Sequence, residues 1–174
     1  MLQGNHEEMF LKAFDDEVTL RHFLRFGGRE TLLSYPITPD EYQRTTIEEL
    51  QVLMRERVPA ADIAFMAAME NLIRVGDYVF VHAGIRPSLA LDAQKTADLR
   101  WIRAEFLDDA TPRDFAVVHG HTITPAPEMH PWRIGIDTGA FASGQLTAVG
   151  LQGTERWLVM AQGETQDFGP DASR

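Results

Sequence analysis

The sequence predicts a sheet-centred α/β protein with some antiparallel pairing. Apolar residues recur at helical spacing from Glu7 to Met69, the period then shortens to that of strands, and the strands follow one another mostly in sequence. Nothing repeats internally and no low-complexity linker divides the chain. A single domain is therefore expected over residues 1–161, followed by a polar tail, 162–174, expected to be disordered.

The first helix is expected from Glu7, where two carboxylates favour the helix N-terminus, with Met9, Phe10, Ala13 and Phe14 as its apolar stripe. A second amphipathic stretch runs from Leu20 to Phe26 and stops at Gly27-Gly28. Pro36 and Pro39 mark a loop. The next helix opens on a capping box at Thr46 and Glu49, with Thr45 and Glu48 as the neighbouring choice. It turns Ile47, Leu50, Leu53 and Met54 inward and stops at Pro59, and a short helix from Ala60 to Met69 follows. Leu72 to Val75, a Gly76-Asp77 turn and Tyr78 to His82 read as a hairpin. Val79, Phe80 and Val81 are continuously apolar, so that strand is expected to be covered on both faces. Later strands are expected at Phe115 to Val118, Arg133 to Ile136, Leu146 to Leu151 and Arg156 to Met160.

Composition narrows the function classes. The 174 residues are 44% hydrophobic and carry a net charge of -10, which argues against nucleic acid or an anionic membrane as partner. With no cysteine, disulfides, zinc–cysteine sites and thiol catalysis are excluded, and a reducing cytoplasm is the expected location. No apolar stretch reaches the roughly 20 residues of a membrane helix. Met1-Leu2-Gln3 has no signal-peptide character.

Three histidine elements stand where one type of structure gives way to another. Asn5-His6 precedes a helix, His82 closes a strand before Ala83-Gly84, and His121 follows a strand inside His119-Gly120-His121-Thr122. Sites in α/β proteins collect at the carboxy ends of strands, so the repetition is informative. His22 and His130 neither follow a strand nor precede glycine and read as ordinary polar residues. By strand alternation His119 and His121 share a face, which makes His119 either a ligand or a support for its neighbour.

In order, Gly4-Asn5-His6-Glu7, Val81-His82-Ala83-Gly84, Gly120-His121-Thr122 and Ile136-Asp137-Thr138-Gly139-Ala140 resemble successive motifs of the calcineurin-like metallophosphoesterases. The resemblance is nearest to bacterial and phage serine/threonine protein phosphatases and spans nearly all of the chain except the tail. It implies a four-layer α/β/β/α sandwich and hydrolysis of phosphomonoesters at two divalent ions, manganese first, with iron or zinc as alternatives. Such a pair orients the phosphate and lowers the pKa of a bridging water, which as hydroxide attacks phosphorus. By the same resemblance Asn5, His82 and His121 bind one metal, and His6 donates a proton to the leaving oxygen as general acid. Arg103, in the Trp-x-Arg pattern of Leu99-Arg100-Trp101-Ile102-Arg103, matches the family's phosphate-binding arginine. Arg100 and Arg86 are weaker candidates that read as solvated charges. Asp137 and His119 are candidates to support the metal site from behind, though a plain turn aspartate is an equal reading of Asp137.

The chain also departs from the pattern. Members of the family place Gly-Asp-x-His-Gly and Gly-Asp-x-x-Asp-Arg-Gly ahead of the first motif here, whereas only Met1-Leu2-Gln3 precedes Gly4, and neither motif occurs later. Truncation is the simplest account. The expectation is a sandwich without its first strands, one side of one metal site, weak metal binding, little hydrolysis by this chain alone, and exposed apolar surface prone to aggregation. A phosphorylated protein or small phosphoester is the expected substrate. Ile85-Arg86-Pro87-Ser88-Leu89-Ala90 after His82-Ala83-Gly84 lacks a Pro-x-Trp pattern, which leans away from a dinucleoside polyphosphate hydrolase. A non-catalytic binding protein on the same scaffold is the remaining alternative, disfavoured by the joint presence of Asn5, His6, His82, Arg103 and His121.

Overall fold

The structure, a computed structural model, describes residues 1–164; apart from Gln162, Gly163 and Glu164, the tail expected to be disordered lies outside the described residues. Two compact units divide the described residues, one at Gln3–Met69 and the other over 70–164.

The first unit is helical. Helix α1 (Asn5–Ala13) begins where Glu7 Oε2 accepts the Gly4 N–H at 2.8 Å, a carboxylate set at the positive end of the helix. Its buried stripe is Met9, Phe10 and Ala13, as the spacing predicts. Phe10 meets Phe14 and Phe23 edge-on, with centroids 5.4 and 5.7 Å apart, and stacks on Tyr35 at 5.9 Å. Helix α2 (Glu17–Phe23) starts three residues earlier than expected, because Asp16 accepts the Val18 N–H and caps it. The chain then passes through a wide turn at Leu24–Gly28, with Gly27 at φ +83°, and resumes as α3 (Arg29–Leu33). A Cβ on Gly28 would lie 2.5 Å from the Phe23 ring, so that position has no room for a side chain.

The Pro36–Pro39 stretch is not all loop. Pro39 opens α4 (Pro39–Arg44), capped by Thr38 and Glu41; proline at the first helical position removes an N–H that had no partner to lose. Helix α5 (Ile47–Arg57) uses the Thr46–Glu49 box and buries Leu50 and Met54, with Ile47 and Leu53 half-buried. It also buries Gln51, whose side-chain amide donates to the Ala13 carbonyl at 2.8 Å, while Arg55 donates to that of Phe14. Two terminal carbonyls of α1 thus find partners on α5. Helix α6 is Ala60–Ala67.

The second unit carries a five-stranded mixed sheet in the spatial order Leu72–Val75, Tyr78–Val81, Ala116–His119, Arg133–Gly135, Glu128–Met129. Strands β1 (Leu72–Val75) and β2 (Tyr78–Val81) form the expected hairpin across Gly76, at φ +58°. Strands β2, β3 (Ala116–His119) and β5 (Arg133–Gly135) run parallel, and β4 (Glu128–Met129) closes the edge antiparallel. The core packs Val79, Val81, Ala83, Leu99, Ile102 and Phe106 with Val117. Strand β2 is therefore fully buried on one face only: Tyr78 and Phe80 stay half-buried, and the strand covered on both faces is β3.

Short helices α7 (Thr96–Trp101), α8 (Ala104–Leu107) and α9 (Ala140–Ser143) and the two-residue strand β4 have no sequence expectation behind them. Each is too short to show a period. The last two strands, β6 (Gln145–Gln152) and β7 (Glu155–Gln162), pair only with each other, in continuous register from Gln145↔Gln162 to Gln152↔Glu155. One face of this ribbon turns Thr147 inward to Thr138 at 2.9 Å. The other presents Leu146, Ala148, Gly150, Trp157, Val159 and Ala161, with Leu146 63%, Trp157 46% and Val159 56% exposed. The class is the α/β one the sequence predicts, a mixed sheet with helices. Among the described residues no helix is long and apolar enough to cross a membrane.

Candidate functional site

Because β2, β3 and β5 are parallel, their carboxy ends lie along one edge of the sheet. His82 follows β2, His119-Gly120-His121 ends β3, and Ile136-Asp137 follows β5. Backbone bonds tie these exits together: the Gly120 N–H donates to the His82 carbonyl at 2.9 Å, and that of Ile136 to the His119 carbonyl at 3.0 Å.

His82 and His121 meet there. Nε2 of His82 lies 3.2 Å from Nδ1 of His121, and the rings are tilted by 60°. The strand alternation would send His121 to the face of His119. Instead His121 has φ +66°, the sole positive φ among described residues other than glycine, and the Thr122 N–H reaches back to the Gly120 carbonyl at 2.7 Å. His121 is thus the centre of a γ-turn of the rare positive-φ kind. That turn corrects the expectation of a shared face: His119 points to the core, where it meets the edge of Phe106 at 5.1 Å, while His121 points to His82 and the edge of Trp101.

His119 is buried, and burial, with Arg133 acting in the same direction, pushes its imidazole down to about 4 against the opposing bond to Gly120. It is neutral at pH 7. Its Nδ1 bonds the Gly120 carbonyl at 3.0 Å and its Nε2 lies 3.4 Å from Nη1 of Arg133, which Glu128 holds at 2.5 Å. Asp137 accepts the Gly139 N–H at 3.0 Å, the bond of a plain turn aspartate, and its other oxygen faces Gly120.

Arg103 donates to the His121 carbonyl at 3.4 Å and to Thr122 Oγ1 at 3.2 Å, and no carboxylate among the described residues pairs with it. The other arginines differ. Arg86 grips Asp98 through two bonds of 2.9 and 2.7 Å and also meets Glu105, so it is a structural ion pair and not the solvated charge expected. Arg100 donates twice to Asn71 Oδ1, at 2.9 and 2.6 Å. His22 lies against Phe26, and His130 lies 3.8 Å from Glu128.

Asn5 and His6 belong to the first unit. Asn5 is buried at the start of α1. His6 is exposed and edge-on to Phe23 at 6.3 Å. Partial desolvation lowers its pKa, with the Glu7 carboxylate working in the other direction.

The sequence reading missed Glu128 and Arg133, whose partnership depends on the β4–β5 pairing and leaves no local signal. It also passed over the motif's glycine: a Cβ on Gly84 would come within 2.3 Å of Phe106 and 2.9 Å of Ile102, so Gly84 serves the packing of α8. A depression of about 250 Å³ lies at the opposite end of the strands, by Tyr78, Ala116 and Trp132; its arginines are engaged, Arg113 by Asp109 and Arg156 by Tyr78 and the Pro131 carbonyl.

Two nitrogens on one ion, at about 2.1 Å and with tetrahedral to octahedral angles, lie about 3.0–3.4 Å apart. The 3.2 Å between His82 and His121 fits that bite, and imidazole suits divalent transition ions. Among the described residues no three or more histidines, cysteines, aspartates or glutamates are grouped so that they could hold a metal ion, so the fit is to one side of one metal site.

The fold and its strand-end histidines define an α/β protein with its polar chemistry at the carboxy edge of a mixed sheet. The crystal structure of a putative diadenosine tetraphosphatase is similar to it, with a TM-score of 0.60 over 94% of this chain and 68% of that one, at 17% sequence identity. At that identity the likeness is one of fold. No family model matches the chain, and neither does any curated protein.

Proposed function

We propose that this chain serves a metal-dependent phosphoester hydrolase, with phosphorylated serine or threonine in a protein as the first substrate class. The observation that carries the reading is the imidazole pair of His82 and His121 at metal-bite distance, with Arg103, which pairs with no carboxylate among the described residues, bonded to the same turn. A divalent ion bound there, manganese first with iron or zinc as alternatives, supplies phosphate charge neutralisation and lowers the pKa of water. His82 and His121 offer Nε2 and Nδ1 to it. Arg103, released from its neutral partners at small cost, offers its planar fork to phosphate oxygens. Asn5 and His6 enter from the motif order alone, as an amide-oxygen ligand and as proton donor to the leaving alcohol oxygen. Asp137 and His119 support the turn between the strands.

A second reading, hydrolysis of dinucleoside polyphosphates, is favoured by the similar structure's description and disfavoured by Ile85–Ala90, which lacks the Pro-x-Trp pattern. Manganese titration, followed by turnover of a phosphoserine peptide and of diadenosine tetraphosphate with and without chelator, separates the readings. We expect one ion per chain and slow, chelator-sensitive turnover that prefers the peptide. Preference for the dinucleotide selects the second reading, and absence of manganese binding ends both.

A further inference from the structure

The Gly120 carbonyl is the acceptor that closes the γ-turn on His121, and it receives a second donor, Nδ1 of His119. A carbonyl carries no proton, so Nδ1 must donate. Nε2 of the same ring faces Arg133, which also only donates, so Nε2 must present its lone pair. Both contacts require the same neutral tautomer. The Gly120 side of the turn is loosely packed, since a Cβ added there would meet nothing closer than 3.6 Å, so these two bonds are what hold the Gly120 carbonyl itself.

We propose that His119 is a positioning residue, through which Glu128 and Arg133 fix the Gly120 carbonyl and keep His121 turned toward His82. The inference rests on the proposed metal role for its effect on function, while its geometric content stands without a metal. Loss of a residue that orients a ligand weakens metal affinity by about 10- to 100-fold.

The test uses the full chain with Co²⁺ as a visible probe, in wild type, His119→Leu, His119→Asn and Arg133→Met, with circular dichroism to confirm folding. His119→Leu keeps bulk and loses both polar atoms; His119→Asn places an amide N–H where Nδ1–H stood. We expect Co²⁺ binding about tenfold or more weaker in His119→Leu and partly restored in His119→Asn. In the metal-free chain, a ring-to-ring nuclear Overhauser contact between His82 and His121 should be present in wild type and His119→Asn and absent in His119→Leu. A folded His119→Leu that keeps both the contact and wild-type affinity overturns the proposal. If His119→Leu does not fold, Arg133→Met decides, with weakened contact and affinity supporting it and unchanged values overturning it. If wild type binds no Co²⁺ the metal reading fails, and the metal-free contact still decides the positioning role.

Discussion

Nε2 of His82 and Nδ1 of His121 stand 3.2 Å apart because His121 occupies a positive-φ turn one residue beyond Gly120. Asparagine accepts a positive φ more readily than a β-branched residue does. His121→Asn should therefore keep near wild-type stability to urea, and His121→Val should lose roughly 1–2 kcal/mol more. Both should lose manganese binding, read by titration. Equal urea midpoints for the two variants would contradict the strained turn.

Gly84 and Phe106 form one packing unit, since a Cβ at Gly84 would enter the ring's space. Gly84→Ala should destabilise the fold by about 1–3 kcal/mol through overpacking. Phe106→Ala alone should cost about 3–5 kcal/mol through the cavity it leaves. Combined, the two should cost less than their sum, because the added methyl then has room; additivity in a urea double-mutant cycle would refute the contact.

Asp98 is a partly shielded carboxylate whose pKa is lowered, first by its bonds from Arg86. The folded chain therefore holds on to fewer protons at this group than the unfolded chain does, and stability rises with pH across the interval between the two pKa values. The contribution is complete above the unfolded value of about 3.9 and is lost as pH falls through the folded one. Urea midpoints measured below pH 5 should drop less steeply in Asp98→Asn than in wild type, from a lower plateau.

Leu146, Trp157 and Val159 share an exposed ribbon face without a charge between them, and Trp157 lies across Gly150 as a flat apolar plate. Apolar surface of this extent binds dyes and drives association. Val159→Lys should lower fluorescence of a bound hydrophobic dye and raise the concentration at which light scattering appears, with little change in the β3 core. An unchanged dye signal would show that the face is covered in solution.

How much of this was legible in the sequence can be told from particular residues. Period, caps and glycine turns determined most of the elements: the stripe of α1, the Thr46–Glu49 box, the β1–β2 hairpin and the four later strands all lie where local pattern puts them, because neighbours in sequence create those signals. The candidate residues were legible as a set of motifs, since His82, His121 and Arg103 each sit within two residues of a glycine or tryptophan at strand and helix ends. Tertiary structure alone decided how they are used. Parallel pairing of β2 with β3 brought His82 to His121 across thirty-nine positions, a positive φ turned His121 away from His119, and Asp98 and Glu105 claimed Arg86 while leaving Arg103 with neutral partners. Those outcomes depend on contacts between distant residues in a low-dielectric interior, where pairing and burial set both direction and charge, and no local pattern encodes them.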